Sequence, residues 1–159
     1  MSRTVWRIAT DTPDYEADDL SGEGAKRTGG RWNEKRAPAV YAAENRALAC
    51  LETLVHLGAG GLPFNRYLVA VAIPDDVWTA AEAHDPSGLP VGWDAQPAGR
   101  ASIAFGTEWL RSGRSAVLLV PSAIVPEEVN VLLNPRHPGI TAVAAVKVRR
   151  WLYDPRLTR

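Results

Sequence analysis

The sequence places one carboxylate, that of Glu52, close to the predicted core, where burying a charge costs free energy. The pattern of residues 45–57 predicts a helix whose core-facing stripe includes Leu48 and Val55. Glu52 lies four residues after Leu48 and three before Val55, so the helical phase places it on or beside that stripe. Burying a carboxylate is unfavourable unless a cation pairs with it. Glu52 is therefore either half of a structural ion pair or part of the lining of a cleft, and the phase alone leaves both open.

A second candidate is Arg31, within the block GGRWN at residues 29–33. Two glycines permit backbone conformations and close approaches that other residues do not. An arginine directly after them can present its planar guanidinium to a phosphate or a carboxylate. Arg31 is thus a candidate anion ligand, a candidate partner for Glu52, or a solvated arginine on a turn. Trp32 is expected in the core, or otherwise in the wall of a pocket.

Tyr41 and Ser122 complete the set of candidate residues. Tyr41 lies in a predicted strand at 39–42, where packing is the usual role of a tyrosine. In a pocket, its ring could stack on a flat heteroaromatic ring and its hydroxyl could donate a hydrogen bond. Ser122 follows a predicted strand at 115–120, a position where serine commonly forms a turn. Because no GxSxG elbow is present, Ser122 is not expected to be a hydrolase nucleophile.

The other polar residues predict neither a metal site nor a resident cofactor. The three histidines match no zinc spacing, and the single cysteine, Cys50, excludes an intrachain disulfide or a CxxC motif. There is no GxGxxG or Walker loop. Arg7, and either Lys26 or Arg27, are further candidates for anion contacts, although a solvated position is expected for each.

Length and composition favour one domain spanning residues 1–159. Apolar residues make up 46% and charged residues 23% of the chain, and the formal net charge is zero. A general nucleic-acid or anionic-membrane binder should carry a basic excess, so neither partner is expected. There is no apolar leader at the start and no stretch of membrane-spanning length, which predicts a cytoplasmic protein.

Short strands outnumber helices in the predicted pattern of elements. Strands are predicted at residues 5–9, 39–42, 66–73, 115–120, 130–133 and 141–148, and helices at 45–57 and 101–110. Residues 14–28 are predicted to form a loop with at most one helical turn, and residues 75–98 an excursion over the core. Because βαβ alternation is absent, we expect an α+β fold with a curved mixed or antiparallel sheet and a few helices.

The order and spacing of several blocks resemble those of the RES-domain toxins. These blocks are residues 29–33, 40–43, 48–52, 120–122, 128–135 and 137–138. The resemblance extends over nearly the whole chain. The Arg, Glu and Ser that give this family its name correspond to Arg31, Glu52 and Ser122, and the family's Tyr corresponds to Tyr41.

The resemblance implies a function that composition does not reveal. It implies an ADP-ribosyltransferase-like fold of the diphtheria-toxin type and the toxin role in a type II toxin–antitoxin module, causing growth arrest. The implied partner is an Xre-like helix-turn-helix antitoxin, and a homodimer within that complex is compatible with it. The implied substrate is NAD, cleaved between nicotinamide and ribose with phosphate or water as acceptor. Glu52, Arg31 and Tyr41 are implied as catalytic, and Arg31, Tyr41 and Ser122 as substrate-binding.

Two other functions stay open at the level of the sequence. An ADP-ribosyltransferase that modifies a cellular protein would use the same residues. Such enzymes often carry a second Glu or Gln two residues before the catalytic Glu, where this chain has Cys50, so phosphate or water is favoured. The other alternative is a non-enzymatic protein-binding module in which Arg31 and Glu52 form an internal ion pair. A ribonuclease fits less well because the charge is balanced and no His/Lys catalytic set is evident.

Overall fold

The computed structural model describes residues 1–158, which form one seven-stranded sheet and four α-helices. The strands are β1 (Ser2–Thr10), β2 (Val40–Ala43), β3 (Arg66–Pro74), β4 (Glu82–Ala83), β5 (Val117–Pro121), β6 (Val129–Leu133) and β7 (Ala144–Arg150). The helices are α1 (Glu23–Thr28), α2 (Arg46–Leu54), α3 (Asp75–Thr79) and α4 (Arg100–Ser112). Short 3₁₀ turns cover Pro86–Gly88, Pro138–Ala142 and Pro155–Thr158. None of the helices in residues 1–158 is long and apolar enough to cross a membrane.

The sheet is mixed, and its strand order is β4-β5-β6-β2-β1-β3-β7. Only the β4–β5 pair is parallel, and the other neighbours run antiparallel. Helices and strands do not alternate as in a doubly wound α/β fold. The predicted α+β class with a mixed sheet is therefore confirmed.

The predicted strands are all present, with ends shifted by at most three residues. The region 75–98 is more ordered than an excursion, because it contains α3, β4 and a 3₁₀ turn. The helix predicted over 45–57 ends earlier, at Leu54, with Val55 as its C-cap. Val55 is 52% exposed, so its predicted place on the core-facing stripe is wrong. The helix ends at Leu54, although apolar residues at helical spacing continue to Val55.

The sheet opens between β1 and β2. β1 pairs with β3 along its whole length, from Ser2 opposite Pro74 to Thr10 opposite Arg66. Its pairing with β2 consists of one register pair, Trp6 opposite Ala43. Because β2 is much shorter than β1, most of the edge of β1 that faces β2 makes no ladder of hydrogen bonds with it. A cavity lies at this opening.

The GGRWN block is fixed in place by a close contact with α4. Trp32 is fully buried, as expected, and stacks on Trp93 with their ring centroids 6.2 Å apart. Gly106 of α4 lies so near that an added Cβ would be 1.9 Å from the carbonyl oxygen of Trp32. No larger residue fits there, so glycine at 106 allows α4 to pack directly against the backbone that carries Arg31.

Candidate active site

A cavity of about 960 Å³ lies at the opening of the sheet. Its walls come from β1, the segment 15–28 with α1, the GGRWN block, β2, α2 and the segment 94–98. This size is within the usual range for a small-molecule site. Arg31, Tyr41 and Glu52 all line it, so three of the four predicted residues meet in one space. Ser122 is not part of the lining and lies behind Glu52, fully buried.

Glu52 is presented to the cavity by α2 and held there by two neighbours. The helix begins at the cap residue Asn45, whose side chain accepts a hydrogen bond of 2.7 Å from the backbone of Leu48. Ser122 Oγ donates to Glu52 Oε1 at 2.7 Å, and Asn130 Nδ2 donates to the same oxygen, also at 2.7 Å. Within residues 1–158 the other oxygen, Oε2, has no hydrogen-bond partner. One oxygen is thus fixed by the protein and the other is available to a ligand.

Ser122 has a different environment from the one expected for a substrate contact. Its hydroxyl proton is directed to Glu52, and its oxygen accepts from the backbone N–H groups of Ile124 and Val125, both at 3.1 Å. The side chain has no exposed surface. Ser122 is therefore placed to orient Glu52 and to fix the turn after β5.

Asn130, at the start of β6, was not singled out from the sequence as a site residue. It lines the cavity, and its Oδ1 is buried without a hydrogen-bond partner in residues 1–158. The signal in the sequence is that Asn130 is the one polar residue among the apolar residues of β6. This signal does not identify Glu52 as the partner, because the two residues are 78 positions apart.

Arg31 lines the cavity but does not pair with Glu52. Its Nη1 donates to the backbone carbonyls of Trp93 and Ala95, both at 2.9 Å, and its Nη2 donates to Gln96 Oε1 at 3.1 Å. No ion pair within residues 1–158 includes Glu52. The internal Arg31–Glu52 ion pair considered from the sequence is therefore absent. Of the five N–H groups of the guanidinium, three hold segment 93–96 and two are left for a ligand.

Tyr41 contributes its ring to the cavity and its hydroxyl to the scaffold. The hydroxyl donates to Asn33 Oδ1 at 2.5 Å and accepts from the backbone N–H of Trp32 at 3.0 Å. Burial raises the pKa of Tyr41 far above its usual range, so the phenol stays protonated under physiological conditions. A Cβ on Gly30 would approach this hydroxyl to 2.7 Å, which explains the second glycine of the block. Only the ring of Tyr41 is left to contact a ligand.

Arg7 lies within the opening of the sheet, and the expectation that it is solvated is wrong. It lines the cavity, and its Nη1 donates to the backbone carbonyl of Tyr41 at 2.8 Å. Burial lowers the pKa of Arg7 to about 10, so the side chain remains a cation at neutral pH. Lys26 and Arg27, in contrast, are as solvated as expected and pair with Glu23 on the surface of α1.

The cavity also contains a histidine that the sequence did not single out. His56 follows α2 and lines the cavity near Glu52. No group of three or more His, Cys, Asp or Glu side chains within residues 1–158 is arranged to hold a metal ion.

Comparison with known proteins supports the family predicted from the sequence. The sequence model of the RES domain matches residues 4–155. A protein from Sphingobium sp. (strain YBL2), named Prs ADP-ribosylating toxin, is 64% identical over 159 residues, covering 100% of this chain and 99% of its own. Two proteins named Toxin Res are also similar over most of both chains. The one from Yersinia enterocolitica is 40% identical and covers 90% of this chain and 93% of its own. The one from Pseudomonas putida is 38% identical and covers 96% of this chain and 98% of its own.

The α+β domain thus brings Glu52, Arg7 and Arg31 to the lining of one cavity. The chain belongs to the RES-domain family.

Proposed function

We propose that this protein is a toxin that consumes NAD by breaking the bond between nicotinamide and ribose. The observation that carries the proposal is the carboxylate of Glu52, which faces a cavity large enough for a nucleotide and has one oxygen fixed by Ser122 and Asn130. The names of three relatives, all toxins, support the toxin role.

Glu52 would supply electrostatic stabilisation. Nicotinamide in NAD is already a cationic leaving group, so its departure needs no strong general acid. Positive charge develops on the ribose as the bond breaks, in a transition state that resembles an oxocarbenium ion. A carboxylate oriented in advance stabilises that charge without reorganising during the reaction. The unoccupied Oε2 of Glu52 would face the ribose, while Oε1 stays with its two donors.

Arg31 and Tyr41 would bind and orient the dinucleotide. The two N–H groups of Arg31 that do not hold segment 93–96 would contact the pyrophosphate. The ring of Tyr41 would stack on the nicotinamide, since its hydroxyl is engaged with Asn33 and Trp32. In this scheme Ser122 acts on the substrate only through Glu52.

The acceptor of the ADP-ribosyl group has two candidates. Phosphate or water is favoured by the absence of a second acidic or amide residue at Cys50, which does not line the cavity. A protein acceptor is favoured by the Sphingobium relative, which is 64% identical and is named an ADP-ribosylating toxin. In either case the bond to nicotinamide breaks first or in concert, so the role of Glu52 is the same.

The toxin proposal also requires a partner that keeps the producing cell alive. We propose a cognate antitoxin, of the Xre-like helix-turn-helix type expected from the family resemblance, that covers the cavity. Co-expression of the neighbouring gene should restore growth to cells that express this chain. Growth arrest that no neighbouring gene relieves would contradict this part of the proposal.

Product analysis tests the reaction and separates the acceptors. Purified protein is incubated with NAD labelled in the adenosine moiety, with and without orthophosphate and with cell lysate. Release of nicotinamide is expected in at least one condition. ADP-ribose 1″-phosphate as the product indicates phosphorolysis, free ADP-ribose indicates hydrolysis, and a labelled protein band indicates ADP-ribosylation. Intact NAD in all conditions at stoichiometric protein would refute the proposed function.

A further inference from the structure

A second cavity, of about 300 Å³, lies apart from the candidate active site, and no described residue lines both. It is formed by residues 36–38, the C-terminal end of α4 and the turn after β6. Three of its lining side chains are those of Arg36, Arg111 and Arg136, and none of the lining residues in the described part of the chain is acidic. Its volume is at the lower end of the range for small-molecule sites. The lining therefore favours a small anion as the ligand.

The charges of two of these arginines are not balanced by the protein. Arg111 forms an ion pair with Glu34, which offsets its charge. No ion pair within residues 1–158 includes Arg36 or Arg136. Both make hydrogen bonds through their backbone N–H groups and not through their guanidinium groups. Arg36 and Arg136 thus bring two positive charges and two unused sets of donors to one cavity.

The turn that carries Arg136 is fixed in place by a buried asparagine. Asn134 Nδ2 donates to the carbonyl of Leu110, near the end of α4, at 2.9 Å, and its Oδ1 accepts from the backbone N–H of Arg136 at 3.1 Å. Pro135, between the two, further restricts the backbone of the turn. The backbone that presents Arg136 is therefore ordered beside α4, so that binding a ligand there costs little backbone entropy.

Arg36 has a backbone conformation that would suit glycine better. Among residues 1–158 it is the only residue other than glycine with a positive φ, of 78°. Its N–H donates to the carbonyl of Lys26 at 2.7 Å, which ties this part of the backbone to α1. A side chain in this region of φ costs free energy, and such residues cluster at ligand sites. The conformation is thus a second indication, independent of charge, that the Arg36 side chain contacts a ligand.

The geometry points to this cavity as a binding site for a small diphosphate, separate from the candidate active site. The planar guanidinium groups of Arg36 and Arg136 can each donate to the oxygens of one phosphoryl group. A cleft lined by charges of one sign also raises the local concentration of ions of the opposite sign. Two neighbouring phosphoryl groups match two arginines, which a single phosphate does not. The site goes beyond the proposed function and does not depend on it.

The test is calorimetric titration of inorganic pyrophosphate and of orthophosphate into the wild-type protein and its variants. The wild type should bind pyrophosphate about tenfold or more tightly than orthophosphate, because the second guanidinium adds charge-assisted hydrogen bonds. Arg136→Gln and Arg36→Gly each remove one guanidinium and should weaken pyrophosphate binding by about tenfold or more. Glycine adopts a positive φ without strain, so Arg36→Gly should stay folded, as circular dichroism would verify.

Two control variants separate this site from other positive charges. Arg100→Gln removes the same charge at the other end of α4, at an exposed position outside both cavities, and should keep the wild-type affinity for pyrophosphate. Arg31→Lys alters the larger cavity and should also keep it. An affinity lost in Arg31→Lys but kept in Arg36→Gly and Arg136→Gln would place the anion in the larger cavity and overturn the inference.

The remaining outcomes are equally decisive. A wild-type protein that does not bind pyrophosphate at millimolar concentration overturns the inference, as does unchanged affinity in folded Arg36→Gly and Arg136→Gln. An equal loss in Arg100→Gln would show a general effect of charge and would also overturn it. Equal affinities of the wild type for orthophosphate and pyrophosphate would refute the assignment of a diphosphate. Because no turnover of NAD is measured, failure of the proposed function would leave this inference standing.

Discussion

Replacing Ser122 by alanine removes one of the two hydrogen bonds that hold Oε1 of Glu52. The change is small in volume and fully buried, and it alters no side chain that lines the cavity. It also removes the acceptor for the backbone N–H groups of Ile124 and Val125, which are 3.1 Å from Oγ. The variant therefore disturbs the orientation of the carboxylate and the turn after β5 together.

The size of each effect follows from these contacts. A hydrogen bond to a charged group contributes about 1.5–3 kcal/mol, and a buried group left unsatisfied costs about 1–3 kcal/mol. We therefore expect the free energy of unfolding to fall by about 2.5–6 kcal/mol. If half to all of the bond to Glu52 contributes to orienting it in the transition state, kcat should fall by roughly 4- to 150-fold. KM for NAD should stay near the wild-type value, because Ser122 does not reach the cavity.

Asn130→Ala is the matched comparison for this variant. It removes the second donor to Glu52 Oε1, at the same 2.7 Å, but supports no backbone turn. It should lower kcat by a similar factor and reduce stability less. Initial rates of nicotinamide release over a range of NAD concentrations give kcat and KM, and urea unfolding gives stability. A raised KM with an unchanged kcat in Ser122→Ala would show that Ser122 contacts the substrate directly, and would refute the positioning role.

Three further changes test the scaffold around the cavity. Tyr41→Phe leaves Oδ1 of Asn33 and the N–H of Trp32 without partners, so urea unfolding should show a loss of about 1–3 kcal/mol; equal stability would contradict the role assigned to the hydroxyl. Gly106→Ala places a methyl group 1.9 Å from the Trp32 carbonyl, so the melting temperature should drop; an unchanged melting curve would disprove the close packing of α4. Arg31→Lys cannot reach three acceptors at once, so KM for NAD should rise and limited proteolysis within residues 93–98 should accelerate; wild-type values for both would argue against the double role of Arg31.

Local signals in the sequence were sufficient for most of the fold. The cap at Asn45 and the apolar period of α2 placed Glu52 correctly beside the core, because these signals act within one or two turns of a helix. Six of the seven strands are predicted by their apolar runs and the turn residues that end them, whereas the two-residue strand β4 is not. The end of α2 is predicted incorrectly, because apolar residues at helical spacing continue to Val55 although the helix ends at Leu54.

The partners within the site could not be predicted in the same way. Ser122 and Asn130 meet Glu52 across 70 and 78 residues, and only the packing of β5 and β6 against the rest of the sheet brings them there. Arg7 appears in the sequence as an ordinary charged residue in a strand. Its burial follows from the opening between β1 and β2, which depends on where the ladder between the two strands ends.

The central claim, that Glu52 drives the loss of nicotinamide from NAD, is tested most directly by Glu52→Gln. The glutamine retains an oxygen that can accept from Ser122 and Asn130, so the fold should be kept while the charge is lost. Glu127→Gln, at an exposed position outside the cavity, makes the same change of charge as a control. Nicotinamide release should be close to wild-type in Glu127→Gln and reduced by at least about 100-fold in folded Glu52→Gln, as expected for losing a major electrostatic contact in the transition state. Full activity in Glu52→Gln would contradict the account.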